Sequence, residues 1–165
     1  MDTTTHRYAP PRAEVKDIPD FSDTVAVPRL WNPGAAAGWS LLFTPVFGAA
    51  LHMRNWKVMG EPAKARASFV WMVASLAAMV LVGLGSVLLP DSRELDRVTN
   101  LVGTALVAAW YFASGQAQQK AVKERYGTGY MRKGWGKPLG VAVLACIAYL
   151  LAVFVVAFVI GYFEA

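Results

Sequence analysis

Cysteine is nearly absent from this 165-residue chain. The single Cys146 allows no intrachain disulfide, no Cys-x-x-Cys redox centre and no cysteine-rich metal site. Two histidines, His6 and His52, are too few for a multi-histidine metal site. Charge is scarce too, at 16% Asp, Glu, Lys and Arg against 56% apolar residues. That balance excludes an ordinary cytosolic enzyme and points to a membrane protein without a cofactor.

What is there instead is four long charge-free runs. Between Arg29 and Arg54 lie 24 residues without a charge, between Arg66 and Asp91 another 24, between Arg97 and Lys120 22, and between Lys137 and Glu164 26. A hydrocarbon core about 30 Å thick takes about 20 helical residues. We therefore expect an all-α integral membrane protein of two transmembrane helical hairpins. Its segments fall at about 36–53, 68–89, 99–118 and 139–163, within a bundle over 30–165. The second and fourth runs are apolar on every face. The third is bounded by Asn100, Ser114, Gln116, Gln118 and Gln119. The first contains Pro33, Gly34, Gly38, Pro45 and Gly48, so it is either a kinked span or a re-entrant hairpin. Residues 1–29, with four prolines and no apolar core, read as an extended polar tail and not as a signal peptide.

Loop charge sets an expected orientation. Segment 54–67 is net +3 and segment 119–137 is net +5, whereas segment 90–98 is net −1. The positive-inside rule then places loops 54–67 and 119–137 in the cytoplasm, and loop 90–98 with the carboxyl terminus in the periplasm, of a bacterial inner membrane. The tail decides the first run. If that run crosses, the Lys and Arg count is 10 inside to 6 outside; if it is re-entrant, the count is 14 to 2. A two-hairpin bundle favours four crossings, whereas the charge count favours three.

Small residues at spacings of three and four mark expected helix-packing faces: Ala105, Ala109, Ala113 and Ala117 on the third segment, and Ala145, Ala148 and Ala152 on the fourth. Such faces serve contacts within one chain or between copies in a homo-oligomer. Trp39, Trp56 and Trp135 are expected interface anchors, with Trp110 also placed near a membrane surface. Lys120, Lys123, Arg125, Arg132, Lys133 and Lys137 make one basic loop, suited to anionic lipid headgroups and not to nucleic acid.

Chemistry is hard to find. All 27 charged residues lie outside the four runs, which argues against an ion-coupled transporter and a voltage sensor. His52 is the one imidazole near a span, expected to be an interfacial histidine hydrogen-bonded at a helix end and less readily a proton shuttle. Ser86 and Ser114 have no local base, and Gly127-Thr128-Gly129 lacks the rest of a phosphate loop.

The residues Trp31-Asn32-Pro33, Ser40-Leu41-Leu42-Phe43-Thr44-Pro45, Asn55-Trp56 and Gly60 form a pattern, extended by Tyr126-Gly127, Tyr130, Arg132-Lys133, Trp135 and Lys137-Pro138. Over roughly residues 31–140, the chain resembles small multi-span bacterial inner-membrane proteins without an assigned biochemical role. The resemblance implies the inner membrane and brings no catalytic residues.

Three functions follow as expectations. The first is a non-enzymatic protein that binds a protein partner, most concretely an immunity protein against a membrane-directed toxin. The second is an oligomeric channel or transporter subunit, with Asn100, Ser114, Gln116 and Gln118 along a path. The third is a lipid-acting enzyme built on His52 and the basic loop.

Overall fold

Helix boundaries follow from local chemistry. Asn32 accepts hydrogen bonds from the N–H groups of Gly34 (3.0 Å) and Ala35 (3.2 Å), and Pro33 follows at the first helical position, so α1 runs Pro33–Val58. Gly60 stops it with a left-handed φ of 74°. Its N–H donates to the carbonyl of Lys57, and the next N–H, of Glu61, donates to that of Trp56. Pro62 then opens α2, Pro62–Leu88.

The computed structural model describes residues 27–89 and 93–164, of which 86% are helical. Most of the tail expected over 1–29, and residues 90–92 of the middle loop, lie outside the described residues. A continuous helical run follows, made of α3 (Arg93–Trp110), one π-turn (Tyr111–Gly115) and α4 (Gln116–Tyr126). It ends at Gly127, where φ is again positive. The last helix, α5, spans Gly136–Glu164. Two short strands complete the described chain: β1 (Arg29–Leu30) pairs in parallel with β2 (Met131–Arg132), Arg29 opposite Met131.

Three helices, α1, α2 and α5, are long and apolar enough to cross a membrane. The third segment is not among them, because α3 opens with Arg93, Glu94, Asp96 and Arg97 and is divided from α4 by the π-turn.

The length of α1 does not make it a straight rod. Its backbone leaves helical geometry at Phe43 and Thr44, immediately before Pro45. In a straight helix Trp31 and Asn55 would be about 36 Å apart. Instead the Trp31 N–H donates to Asn55 Oδ1 at 3.1 Å, and Asn55 Nδ2 donates to the Trp31 carbonyl at 2.8 Å. Nearer the bend, His52 Nε2 lies 3.2 Å from the Pro33 carbonyl, and Gly48 abuts Ser40 so closely that a Cβ there would collide with the serine hydroxyl. The two arms, 33–42 and 45–58, therefore run back along each other. Both ends of the first segment lie at one end of the molecule, so the segment is a folded-back hairpin and not a straight helix.

The apolar core sits at that same end. Leu30, Trp56, Met59, Ala65, Val122 and Tyr130 cluster there, drawn from β1, both sides of the α1–α2 turn, α4 and the loop before β2. Across the turn, Arg125 of α4 donates to the carboxylate of Glu61, which also meets Lys64 at 3.4 Å. The paired hydrogen bonds hold the Glu61 carboxyl below its usual range, led by the Arg125 bond, and raise Arg125 for the same reason.

The π-turn has a geometric purpose. Eight residues of regular α-helix would set Trp110 and Gln118 about 80° apart around the axis, whereas one residue absorbed in a π-turn brings them within about 20°. Both are fully buried, on the face that meets α1.

Several expected faces point elsewhere. Ala105, Ala109, Ala113 and Ala117 are exposed along α3 and α4, as are Ala145, Ala148 and Ala152 along α5. They do not pack within the chain, because bulkier Trp110, Gln118 and, on α5, Tyr149 carry those contacts. Gly83 of α2 is the small residue that matters against α5: a Cβ there would strike the Tyr149 hydroxyl, which donates to the Met79 carbonyl at 2.9 Å. Trp56 is 1% exposed and belongs to the core, with Lys64 over its ring at 4.8 Å, so it is not an interfacial anchor. Trp110 likewise is buried against His52, ring centroids 5.3 Å apart. Trp39 and Trp135 are half-buried, the Trp39 ring tilted against that of Phe43, centroids 6.1 Å apart, towards the bend.

Candidate functional site

The folded-back hairpin of α1 is the centre of the candidate site, and a chain of carboxamides holds it. Besides clasping Trp31, Asn55 Nδ2 donates to Gln118 Oε1 at 3.1 Å, and Gln118 Nε2 donates in turn to the His52 carbonyl at 2.8 Å. Asn55, Gln118 and His52 are all 0% exposed. Because a carbonyl oxygen only accepts, His52 carries its proton on Nε2 toward Pro33. The expected hydrogen bond is present, but His52 is sealed in the interior and not interfacial. That burial keeps His52 from acting as the reachable base of the lipid-enzyme reading.

At the bend, Thr44 adopts φ 63° and ψ 167°, a region that only glycine enters freely. No glycine is present to relieve it. The Thr44 hydroxyl donates to Met79 sulfur at 3.3 Å, fixing the tip of the hairpin against α2. Thr44 stands between two grooves and lines both.

The larger groove, of about 910 Å³, lies between the hairpin, α2 and α3. Its wall runs from Asn100 near the start of α3 to Gln119 beside Gly34 at the mouth of the hairpin. Those residues are 19 apart along a helical run, roughly 29 Å, close to the thickness of a hydrocarbon core. The lining is mostly apolar, with Ser40, Thr44, Thr99, Thr104, Gln119 and Tyr149 as scattered polar groups. Trp110 forms part of it, and the indole N–H of Trp110 has no partner among the described residues.

Of the four polar residues expected along a path, Asn100 lines this groove. Gln118 is committed to the carboxamide chain, Ser114 is buried in the π-turn, and Gln116 is exposed. Thr44, Thr99, Thr104 and Gln119 line it as well, outside the four residues expected along a path. For Thr44 the one sequence signal is its place before Pro45.

The basic residues divide into two groups. Lys120, Lys123 and Arg125 stand on α4, where Lys120 meets Glu124 at 3.9 Å and Arg125 meets Glu61. Arg132, Lys133 and Lys137 surround the β1–β2 pair and the start of α5. Arg132 lies over Tyr130 at 5.9 Å and Lys133 over Trp31 at 4.2 Å. The Lys133 ammonium is held below its usual range by desolvation first and then by the neighbouring positive charges of Arg29 and Arg54. Arg54, outside the expected basic loop, thus joins this second group.

Comparison with protein-family models, curated proteins and solved structures finds no match.

Proposed function

We propose that this chain is a non-enzymatic protein of the bacterial inner membrane, with three crossings and one re-entrant hairpin, that binds a small amphipathic molecule and passes it along the larger groove. The crossings are α2, α5 and, between them, the charge-free stretch 98–119, which α3, the π-turn and α4 carry as one helical run although neither helix alone is long and apolar enough to cross. The tail, loop 54–67 and loop 119–137 then share the cytoplasmic side, giving the 14 to 2 distribution of Lys and Arg that the positive-inside rule favours.

One observation carries the reading: a helix broken at Phe43–Thr44, halfway along a groove about as long as the hydrocarbon is thick. Broken backbone at membrane depth is tolerated where it lines a cavity or is enclosed by protein, and discontinuous helices recur at transport sites. The first arm, ten residues or about 15 Å, reaches mid-membrane. A mostly apolar lining with a few polar groups suits an amphipathic solute better than a hydrated ion.

The reading is tested with single cysteines in a Cys146→Ser background. Arg29→Cys and Gly129→Cys should react with a membrane-impermeant thiol reagent from one face and Glu94→Cys from the other. Labelling of positions 29 and 129 from opposite faces would end the three-crossing topology. In proteoliposomes the protein should release a trapped amphipathic dye, and Thr44→Trp should stop it. Release no faster than from empty liposomes would end the transport reading.

A second reading draws on α5, whose apolar surface is exposed along most of its length. A protein partner covering it, such as a toxin held by an immunity protein, fits the binding-protein expectation. It predicts a stoichiometric partner that co-purifies in mild detergent and is lost on Leu144→Trp, a change on the exposed face. Retention of the partner by that variant would count against α5 as its seat.

A further inference from the structure

We propose that the smaller groove is a lipid site, seating one acyl chain of an anionic phospholipid whose phosphate is held by Arg54 and Lys137. The groove, about 490 Å³, lies between the second arm of α1, α2 and α5, with Phe43, Phe47, Leu76, Ala142 and Cys146 among its walls. At about 30 Å³ for a group the size of a water molecule or methylene, it holds roughly sixteen, one acyl chain.

Charge decides which lipid. Arg54 and Lys137 line the groove and are exposed to solvent, with Trp31 beside them. The carboxylates that make ion pairs, Glu61 and Glu124, are engaged with Lys64, Arg125 and Lys120, so among the described residues none neutralises Arg54, Lys137, Arg29 or Lys133. Arg29 and Arg54 are close enough to Lys133 to depress its ammonium. Cations without a carboxylate partner among the described residues, at the mouth of an apolar slot, complement a phosphate joined to a chain. A free phosphate would leave the apolar walls unfilled. The inference rests on the membrane placement proposed above, and is independent of transport in the larger groove.

The test is native mass spectrometry of the full chain in mild detergent, with phosphatidylglycerol and phosphatidylcholine of equal chain length, and glycerol 3-phosphate as the headgroup alone. One phosphatidylglycerol per chain should be retained, about tenfold or more over phosphatidylcholine. The double variant Arg54→Gln/Lys137→Gln should lose that preference, whereas Lys120→Gln/Lys123→Gln, on the same side but away from the groove, should keep it. Ala142→Phe, which fills the slot with both cations in place, should lower retention of both lipids. Helix content and elution volume serve as folding controls. Preference surviving in Arg54→Gln/Lys137→Gln, or lost equally in Lys120→Gln/Lys123→Gln, would show general surface attraction and overturn the site. Competition by glycerol 3-phosphate as strong as by the whole lipid would overturn the acyl seat. A chain that resists carbonate extraction yet shows no preference loses the lipid site alone, whereas one released by carbonate loses the membrane placement with it.

Discussion

The side chain of Asn55 serves Trp31 as a neighbouring strand would: one carboxamide accepts from its N–H at 3.1 Å and donates to its carbonyl at 2.8 Å. Backbone groups leaving a strand for a helix need partners, and in an apolar setting water cannot supply them. Asn55 supplies both from 24 residues away, so the closure of the hairpin and the satisfaction of its lead-in are one event.

Asn55→Ala should therefore orphan the N–H and carbonyl of Trp31 together with Gln118 Oε1. A loss of about 2–4 kcal/mol is expected, measured by unfolding in mixed detergent micelles. Asn55→Asp should be worse, since it directs a carboxylate oxygen at two acceptors. Wild-type stability in the aspartate variant would mean that the carboxamide nitrogen does not donate there.

Gly48→Ala should destabilise the hairpin by about 1–3 kcal/mol, because the new methyl meets both the Ser40 hydroxyl and the Trp110 ring. Ser40→Ala in the same chain should recover only part, as the indole remains in the way. Complete recovery would place the Trp110 contact elsewhere.

Thr44→Gly should raise stability. Release of the strained φ gives about 1–3 kcal/mol, offset by about 0.5–1 kcal/mol of added freedom in the unfolded chain and by loss of the Met79 contact. The net expectation is about 1 kcal/mol of gain in the same unfolding measurement. A loss of stability would mean that the bend is held by Thr44 and not imposed upon it.

The Glu61–Arg125 link sets a pH dependence with a definite sign. Pairing lowers the Glu61 carboxyl below its ordinary value of 4.5, so its contribution is present above that pH and disappears as pH falls through the lowered value. Glu61→Gln should thus be less stable than wild type at pH 7, and the difference should close on acidification below 4.5. A gap that stays constant from pH 7 to pH 3 would assign the effect to packing.

Much of this architecture is written in local sequence. Charge-free runs mark α2 and α5, the Trp31-Asn32-Pro33 triplet marks the start of α1, and Gly60 with Pro62 marks the next turn. Pro45 signals irregularity, but a kink and a complete reversal share that signal. The choice between them lies in contacts between distant residues, His52 with Pro33 and Asn55 with Trp31, which no periodicity encodes. The small-residue stripes do not say what they pack against, for a related reason. Spacing shows that Ala105, Ala109, Ala113 and Ala117 share a face, while the π-turn and the buried Trp110 and Gln118 decide that the opposite face turns inward. The groove-lining role of Arg54 also depends on the reversal, which brings it near Lys133 and Lys137 from the far side of α1 in sequence.

The two-residue pairing of β1 with β2 also imposes an order on biogenesis. Trp31 donates its indole N–H to Gly134, 103 residues later, and Asn55 meets Gln118 63 residues later. At about 5–20 residues per second, the ribosome finishes those partners roughly 5–20 s after Trp31 has emerged. During that interval the hairpin has only its own two arms and α2 to hold it. The hairpin, made before its distant partners, is thus locked after them.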